Sequence, residues 1–519
     1  MCPYGALIMK KSIVQSRQVS AALCALNTAV LCAMLAGCNV GPKYLPPTMT
    51  APPAFKEAPT QFNEADGWTI AQPQDAALRG KWWEIYNEPK LNALEEELNI
   101  DNQNIREAFE NFMEARALVR EARSQYFPTV SVGGSYTRSQ TSSNVGSAAS
   151  TGTTSGKQSQ VFSIPADVSW EPDLWGRVRN TVKASQYTAQ LTAADLENER
   201  LTEQASLAEY FFEIRGQDAL QKLLNDTVED DKKALEIAKA RYDTGVDDRI
   251  SVVEAQATLE SAQSVALNIG IARAQYEHAI AMLVGKPAST FSILVEPRTS
   301  APPAIPVGVP SQLLERRPDI AAAERNMAVA NAHIGVADAA FYPSLTLSAS
   351  GGMESSALKN LLDWPSRFWS VGPSISETVY DGGLRRATVN QYIATYNANV
   401  AAYRQSVLTA FQQVEDALAA VRILSQQIRR QQEAVDSSQT FLRLELGRYE
   451  TGIDPYIDVV TAQTTLLANQ QSLANLQVQQ MTASVQLIAA LGGGWERSQL
   501  PTPAQVTLKP SKSETTIQH

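Results

Sequence analysis

Apolar residues recur every seven positions along two stretches of the chain that are longer than a globular domain ordinarily holds. In the second stretch Ile393, Val400, Val407, Val414, Val421, Ile428, Val435, Leu442 and Tyr449 follow one another with no proline between them, the spacing of a coiled-coil seam. A helix from about 383 to 449 would be roughly 100 Å long at about 1.5 Å per residue. The first stretch, about 177 to 241, carries Leu207, Ile214, Val228 and Leu235 in one register, with Arg200 and Gln221 intruding. Each is followed by a Gly-containing turn and a returning helix, with Val252, Leu259, Ala266 and Ile280 in one and Val459, Leu466, Leu473 and Leu487 in the other. Both returning series break at the same place, at Arg273 and Gln480.

A shorter period precedes each long stretch. Val130, Val132 and Tyr136 alternate with Thr129, Ser131, Ser135 and Thr137, and Phe162, Ile164, Val168 and Trp170 alternate with Ser163, Asp167 and Ser169. Later, Leu345, Leu347, Ala349 and Met353 oppose Thr346, Ser348 and Ser350, while Trp369, Val371 and Ile375 oppose Ser370, Ser374 and Ser376. Period-two alternation predicts two-faced strands, four per chain in two β-hairpins, with one apolar face and one small polar face. The pattern alone suits a half-buried soluble sheet better than a membrane barrel. The segments Ser139 to Gln160 and Glu354 to Arg367 read as loops between hairpin strands.

The two halves repeat each other. Arg241-Tyr242-Asp243-Thr244-Gly245 and Val252-Val253-Glu254-Ala255-Gln256 recur 207 residues later as Arg448-Tyr449-Glu450-Thr451-Gly452 and Val459-Val460-Thr461-Ala462-Gln463. Glu171 to Arg179 matches Glu377 to Arg385, and Tyr126-Phe127-Pro128-Thr129 matches Phe341-Tyr342-Pro343-Ser344. The predicted organisation is therefore a signal segment at 1–37, an N-terminal extension at 38–90, a first unit at 91–285, a linker at 286–309, a second unit at 310–491 and a tail at 492–519. Each unit reads as helix, β-hairpin and long helical hairpin.

The start of the chain changes the meaning of the strands. Lys10, Lys11 and Arg17 precede an apolar stretch ending in Leu35-Ala36-Gly37-Cys38, the lipobox pattern of an exported bacterial lipoprotein. Cys2, Cys24 and Cys32 fall in the segment removed, so Cys38 is the lone cysteine of the mature chain and reads as a lipid attachment point. Loss of those three cations takes the formal net charge from −10 to −13, which leaves no basic surplus for nucleic acid. No later apolar run is long enough to cross a bilayer as a helix. With export and lipidation in place, and with Phe127, Phe341, Trp170 and Trp369 flanking the strands, the alternation favours a membrane barrel. Four strands cannot close one, because the smallest has about eight, so oligomerisation is required; three chains supply twelve strands and a twelve-helix tube.

These features resemble the outer membrane factor family, the TolC/OprM type of exit duct, and especially its lipoprotein branch. The resemblance rests on Cys38-Asn39-Val40-Gly41-Pro42-Lys43-Tyr44, Trp170-Glu171-Pro172-Asp173-Leu174-Trp175-Gly176-Arg177, Leu313-Leu314-Glu315-Arg316-Arg317-Pro318-Asp319-Ile320 and Ala339-Ala340-Phe341-Tyr342-Pro343-Ser344, and spans nearly the whole mature chain. It implies an α+β membrane protein: a homotrimer with a 12-stranded β-barrel continuous with a long periplasmic α-helical barrel, in the outer membrane of a Gram-negative bacterium. It further implies N-acyl and S-diacylglycerol lipid on Cys38, no other cofactor, and passive conduction of drugs or other small toxic compounds. The implied partners are a periplasmic adaptor (membrane fusion) protein, an inner-membrane RND-type pump and outer-membrane lipid. By the same resemblance the turns at Arg241, Thr244, Gly245 and at Arg448, Thr451, Gly452 dock the adaptor, and Asp458, Asp454 and Tyr449 form the periplasmic entrance gate. The chain departs from some relatives at Thr461, where they carry an acid, and at Asp454, where they carry Arg.

Two other readings stand beside it. A type I protein secretion duct would share the architecture, and a structural lipoprotein stalk or adhesin would share the heptads and Cys38 but leave the strands unexplained. The residues carry no Gly-rich phosphate loop, His-Glu-x-x-His pair or nucleophile elbow. Of the histidines, His278 and His333 fall on predicted helices and His519 in a polar tail, which argues against an enzyme.

Overall fold

The computed structural model describes residues 39–49, 51–57, 68–70, 80–140, 142, 158–298, 301–303, 305–307 and 310–508. Cys38, the predicted signal segment, His519 and most of the predicted loop between Ser139 and Gln160 lie outside them. In chain order the helices are α1 (Pro89–Asp101), α2 (Gln103–Ser124), α3 (Arg177–Asp243), α4 (Arg249–Leu283), α5 (Pro310–Arg316), α6 (Pro318–Ala339), α7 (Leu384–Glu450), α8 (Tyr456–Ala490) and α9 (Pro503–Thr507). The strands are β1 (Trp68–Ile70), β2 (Thr129–Val132), β3 (Ser135–Gln140), β4 (Gln158–Trp170), β5 (Ile305–Val307), β6 (Ser344–Ser355) and β7 (Arg367–Ser376).

The two copies are equal in length where the repeat predicts it. Both α3 and α7 run 67 residues, and both α4 and α8 run 35. Each long helix begins in the same way. Asp173 accepts from the backbone N–H of Val178 and Arg179 and from the Arg179 guanidinium, and Asp381 accepts from the N–H of Gly383 and Arg385 and from the Arg385 guanidinium. The repeated motif around Glu171 and Glu377 is thus helix-start chemistry, in which a carboxylate meets orphan N–H groups at the positive end of the dipole.

The seam buries what its spacing predicts along most of its length. Val407 and Val414 are fully buried and Val421, Val435 and Tyr449 nearly so, whereas Ile393, near the sheet, is 41% exposed. The break at Arg273 has a tertiary cause. Its guanidinium donates to Asp218 on α3 at 2.7 Å and to the carbonyl of Ile293 at 2.8 Å, and Asp218 also accepts from the N–H of Glu296. The segment leaving the first hairpin docks here, so a charge replaces the seam residue.

The main core lies where helices of both units meet. Phe211, Phe212 and Ile214 of α3 pack with Val485 and Leu487 of α8, and with Trp82, Trp83, Leu91 and Leu94 from the region before and within α1. The Trp82 indole N–H donates to Gln204, and the hydroxyls of Tyr86 and Ser484 lie 2.9 Å apart. The chain before the first unit is therefore part of the core. A second tie not foreseen in the sequence is the parallel pairing of β1 with β5.

At one end of the helices stands an antiparallel sheet in which β4 pairs with β2 and β3 on one side and with β6 on the other, and β6 pairs with β7. The two predicted hairpins are thus joined through β4 and β6. β2 and β3 are one strand interrupted at Gly133 and Gly134 beside Pro165, which has no N–H to give; the N–H of Gly133 still donates to the Pro165 carbonyl at 3.0 Å. Across β4, a side chain on Gly352 would press on the Ile164 carbonyl and the Pro165 backbone, so glycine permits the close approach. Partnered positions lie on one face of a sheet. Val130 with Val168, Tyr136 with Phe162, Ile164 with Met353, Ala349 with Val371 and Leu345 with Ile375 make that face apolar over most of its length, with Arg138, Gln160 and Arg367 at its far end.

Candidate functional site: the hairpin ends and the sheet-side anchor

The far end of the helices is formed by two turns of the same build. Gly245 and Gly452 take φ of 72° and 75°, the left-handed region that glycine enters without a Cβ penalty. Their N–H groups donate to Tyr242 and Tyr449, those of Val246 and Ile453 donate to Arg241 and Arg448, and the Thr244 and Thr451 hydroxyls donate back into the last helical turn. All six predicted docking residues, Arg241, Thr244, Gly245, Arg448, Thr451 and Gly452, are therefore turn-forming residues.

The turns are brought together by Tyr449. Its hydroxyl donates to Asp247 at 2.9 Å, the Arg241 guanidinium lies 4.6 Å from its ring centroid, and the ring packs on Tyr456 at 5.3 Å. Leu235, Ala238, Ala255 and Val459 close around it. Burial, followed by the facing Asp247 carboxylate, holds the Tyr449 hydroxyl protonated well above the usual tyrosine range. Burial alone would push the Asp247 carboxyl up, but donation from Tyr449, from the Asp248 N–H and from the Ser251 hydroxyl outweighs it and holds the carboxyl below its ordinary value.

The other predicted gate residues lie on the second turn and the start of α8. Asp454 takes both Arg448 nitrogens, Nη2 at 2.9 Å and Nε more closely, and this pairing holds its carboxyl below the usual range. Oxygens of Glu445, Asp454 and Asp458 lie within 4.8 Å of one another. The arrangement is a carboxylate patch with one guanidinium in it, suited to attracting cations electrostatically. Sequence reasoning singled out Tyr449, Asp454 and Asp458 and missed Asp247 and Glu445 as members. The signal for Asp247 was present: it stands 207 residues before Asp454, six residues after an arginine in both turns.

At the opposite end the chain that follows Cys38 is fastened to the sheet side of the helices. Asn39 accepts from the Asn180 amide at 3.0 Å, Val40 N–H donates to Trp175, and Pro42 accepts from Asn331. Trp175 stacks on Tyr342 at 4.8 Å. Of the described histidines, His333 stacks on Tyr392 and has its pKa lowered by burial, and His278 is exposed. No helix among the described residues is long and apolar enough to cross a membrane.

A two-unit chain with a two-faced sheet at one end and long helical hairpins ending in paired turns at the other is the subunit architecture of an outer-membrane duct. The chain belongs to the outer membrane efflux protein family, whose model matches residues 94–286 and 309–493. It is 30% identical over 485 residues to the probable efflux pump outer membrane protein TtgC of Pseudomonas putida, covering 91% of this chain and 95% of that one. It is 32% identical over 467 residues to the solvent efflux pump outer membrane protein SrpC of Pseudomonas putida, covering 90% and 97%. The solved structure of the outer-membrane channel OprN superposes with a TM-score of 0.80 at 27% identity, covering 88% of this chain and 100% of that chain. The protein is an efflux channel of the outer membrane that extends into the periplasm, in a family of transporters rather than enzymes.

Proposed function

We propose that the protein works as a homotrimer whose three sheets close into one twelve-stranded barrel, continuous with a tube of twelve long periplasmic helices. The observation that carries this reading is the sheet itself. Its β2–β3 and β7 edges have no partner among the described residues, and its apolar face leaves Val132, Trp369, Val371 and Ile375 each more than 70% exposed. An apolar face of that size calls for lipid, and an open edge in lipid strands its backbone groups. Pairing β7 of one subunit with the first strand of the next removes the edges.

Cys38 carries the N-acyl and S-diacylglycerol lipid, and the hold on Asn39 beside Trp175 supports an anchor at the periplasmic rim of the barrel. Asp458, Asp454 and Tyr449 gate the periplasmic entrance, while the two turns receive a periplasmic adaptor (membrane fusion) protein that links the duct to an inner-membrane RND-type pump. Relatives named for antibiotic, toluene and solvent efflux favour small toxic compounds as cargo over type I protein secretion. The purified protein is expected to run as a trimer, conduct ions across planar bilayers and appear as a tapered cylinder by electron microscopy. A soluble rod without a barrel would overturn the reading in favour of a stalk. Deleting the protein and testing susceptibility to drugs, dyes, detergents and metals assigns the cargo.

A further inference from the structure

The antiparallel sheet sorts its charges by face. Strands β2, β3, β4, β6 and β7 carry four charged residues, Arg138, Asp167, Glu354 and Arg367. Arg138 stands opposite Gln160, in line with Tyr136 and Phe162, and Arg367 stands opposite Met353, in line with Trp369. Both arginines therefore belong to the apolar face. Asp167 stands opposite Ser131 and Ser350, and Glu354 opposite Ser163, so both acids belong to the small polar face. The cations are turned to the membrane and the acids to the conduit.

Both arginines also lie at the end of the sheet away from the helices, Arg138 near the close of β3 and Arg367 at the first position of β7. Gln160, the partner of Arg138, and Trp170 lie ten positions apart along β4. That separation is about 34 Å at about 3.4 Å per residue, or roughly 26 Å of height at a strand tilt of about 40°. The apolar band of a membrane barrel is about 25 Å tall, so Arg138 stands at its outer boundary, where an arginine facing lipid costs little.

These two guanidiniums lack the acids that arginines find at the near end of the sheet. There Arg177 pairs with Glu171, Arg179 with Asp173 and Arg385 with Asp381. At the far end Arg138 donates to the Gln158 side-chain oxygen at 3.1 Å, and Arg367 lies 3.8 Å from the centroid of the Trp364 ring. Neither meets a carboxylate among the described residues. The connecting segments add no surplus of acid: residues 141–157 contain Lys157 and no Asp or Glu, and the turn between β6 and β7 sets Lys359 against Asp363. Directly below, the Tyr136 and Phe162 rings lie 4.6 Å apart, and Trp369 is 79% exposed. A ligand that suits this rim has anionic oxygens at its head and acyl chains beneath.

We infer that the outer rim of the barrel binds the phosphate groups of an outer-leaflet glycolipid: Arg367 of one subunit and the partner subunit's Arg138 hold them at each of the three seams, above acyl chains laid on Trp369 and Tyr136. A guanidinium presents a planar fork of N–H donors that matches phosphate oxygens, and its stacking on Trp364 leaves that edge of Arg367 free to donate. The reading rests on the trimeric duct proposed above. Pairing β7 with the first strand of the next subunit sets the strand of Arg367 about 4.8 Å from that of the partner subunit's Arg138. Two cations brought to one seam repel unless an anion joins them, so the lipid staples neighbouring subunits.

The test is native mass spectrometry of the purified full-length protein in detergent, titrated with bisphosphorylated lipid A, with monophosphoryl lipid A and with inorganic phosphate. Bisphosphorylated lipid A is expected to add up to three copies per trimer, monophosphoryl lipid A to bind several-fold more weakly, and inorganic phosphate not to displace either. Arg138→Gln/Arg367→Gln should weaken lipid A binding about tenfold or more. Arg138→Lys/Arg367→Lys keeps the charge but loses the fork and should fall between. Arg430→Gln, at an exposed arginine paired with Glu433 on α7, should bind as the native chain does. Native affinity in the Gln double variant would overturn the inference, as would equal affinity of the native trimer for the two lipid A forms. Displacement by inorganic phosphate at lipid concentrations would make this a free-anion site and overturn it as well. The comparison of lipid forms uses the native chain, so it decides the matter even where a variant does not assemble. A native trimer indifferent to lipid phosphates defeats this inference alone, whereas a native protein that forms no trimer defeats the duct.

Discussion

The hydroxyl of Tyr449 donates to the carboxylate of Asp247 at 2.9 Å and ties together the ends of two helical hairpins 202 positions apart in the chain. A hydrogen bond to a charged partner is worth about 1.5–3 kcal/mol, enough to shift a closed-to-open equilibrium by roughly tenfold or more. Tyr449→Phe removes the donor with little change in packing, so single-channel conductance in planar bilayers should rise. Because the Asp247 carboxyl is held below its ordinary value, its contribution is present at neutral pH and lost as pH falls through that lowered value. Acidification should therefore open the native channel and change the Phe variant less; equal responses would remove Asp247 from the lock.

Asp458 shares its patch with Glu445 and with Asp454, and Arg448 already neutralises Asp454. Asp458→Ala should lower the preference for cations and raise conductance. Reversal potentials across a salt gradient measure the first and single-channel currents the second. If both stay at native values, the carboxylate does not line the entrance.

Asp231 on α3 is only 3% exposed, and burial, then the neighbouring Asp230 charge, pushes its carboxyl up to about 6. In the unfolded chain it titrates at about 3.9, so this group favours the folded state least above about pH 6, where the native structure must hold a buried charge. Asp231→Asn should raise the melting temperature at about pH 7.5, by an amount on the order of 2 kcal/mol in stability, with the gain gone at about pH 4. A gain independent of pH would show that ionisation of Asp231 is not its source.

Arg273 and Asp218 form a pair in which the aspartate is 1% exposed. Arg273→Met leaves Asp218 with the Glu296 N–H and a more distant Arg215 at 3.9 Å, a loss expected to cost about 3 kcal/mol. Arg273→Met/Asp218→Leu should recover much of it. Thermal melting followed by circular dichroism distinguishes this from a surface pair, for which the single variant would melt like the native protein.

The seven-residue spacing from Ile393 to Tyr449, the alternation in the strands and the repeated Arg-Tyr-x-Thr-Gly turns determined the long helices, the two-faced sheet and the tandem plan. They are local patterns, each fixed by the geometry of its own element. Their limits are equally physical. Arg273 reads as a flaw in a seam until Asp218 and the carbonyl of Ile293 meet it. Trp82 and Trp83 belong to no periodic run, yet they enter the main core because α1 brings them against α3.

What the sequence by itself determined was the set of parts: two hairpins with matching ends, and strands with an apolar face that no single chain can close. What only the tertiary structure decided was how the copies are used. It paired Tyr449 with Asp247 and left Tyr242 and Arg448 exposed, although the turns carry the same residues. The reason is that a repeat of two in one chain has a single internal junction. Equal sequences then meet unequal surroundings, and that difference is set by which faces touch in space.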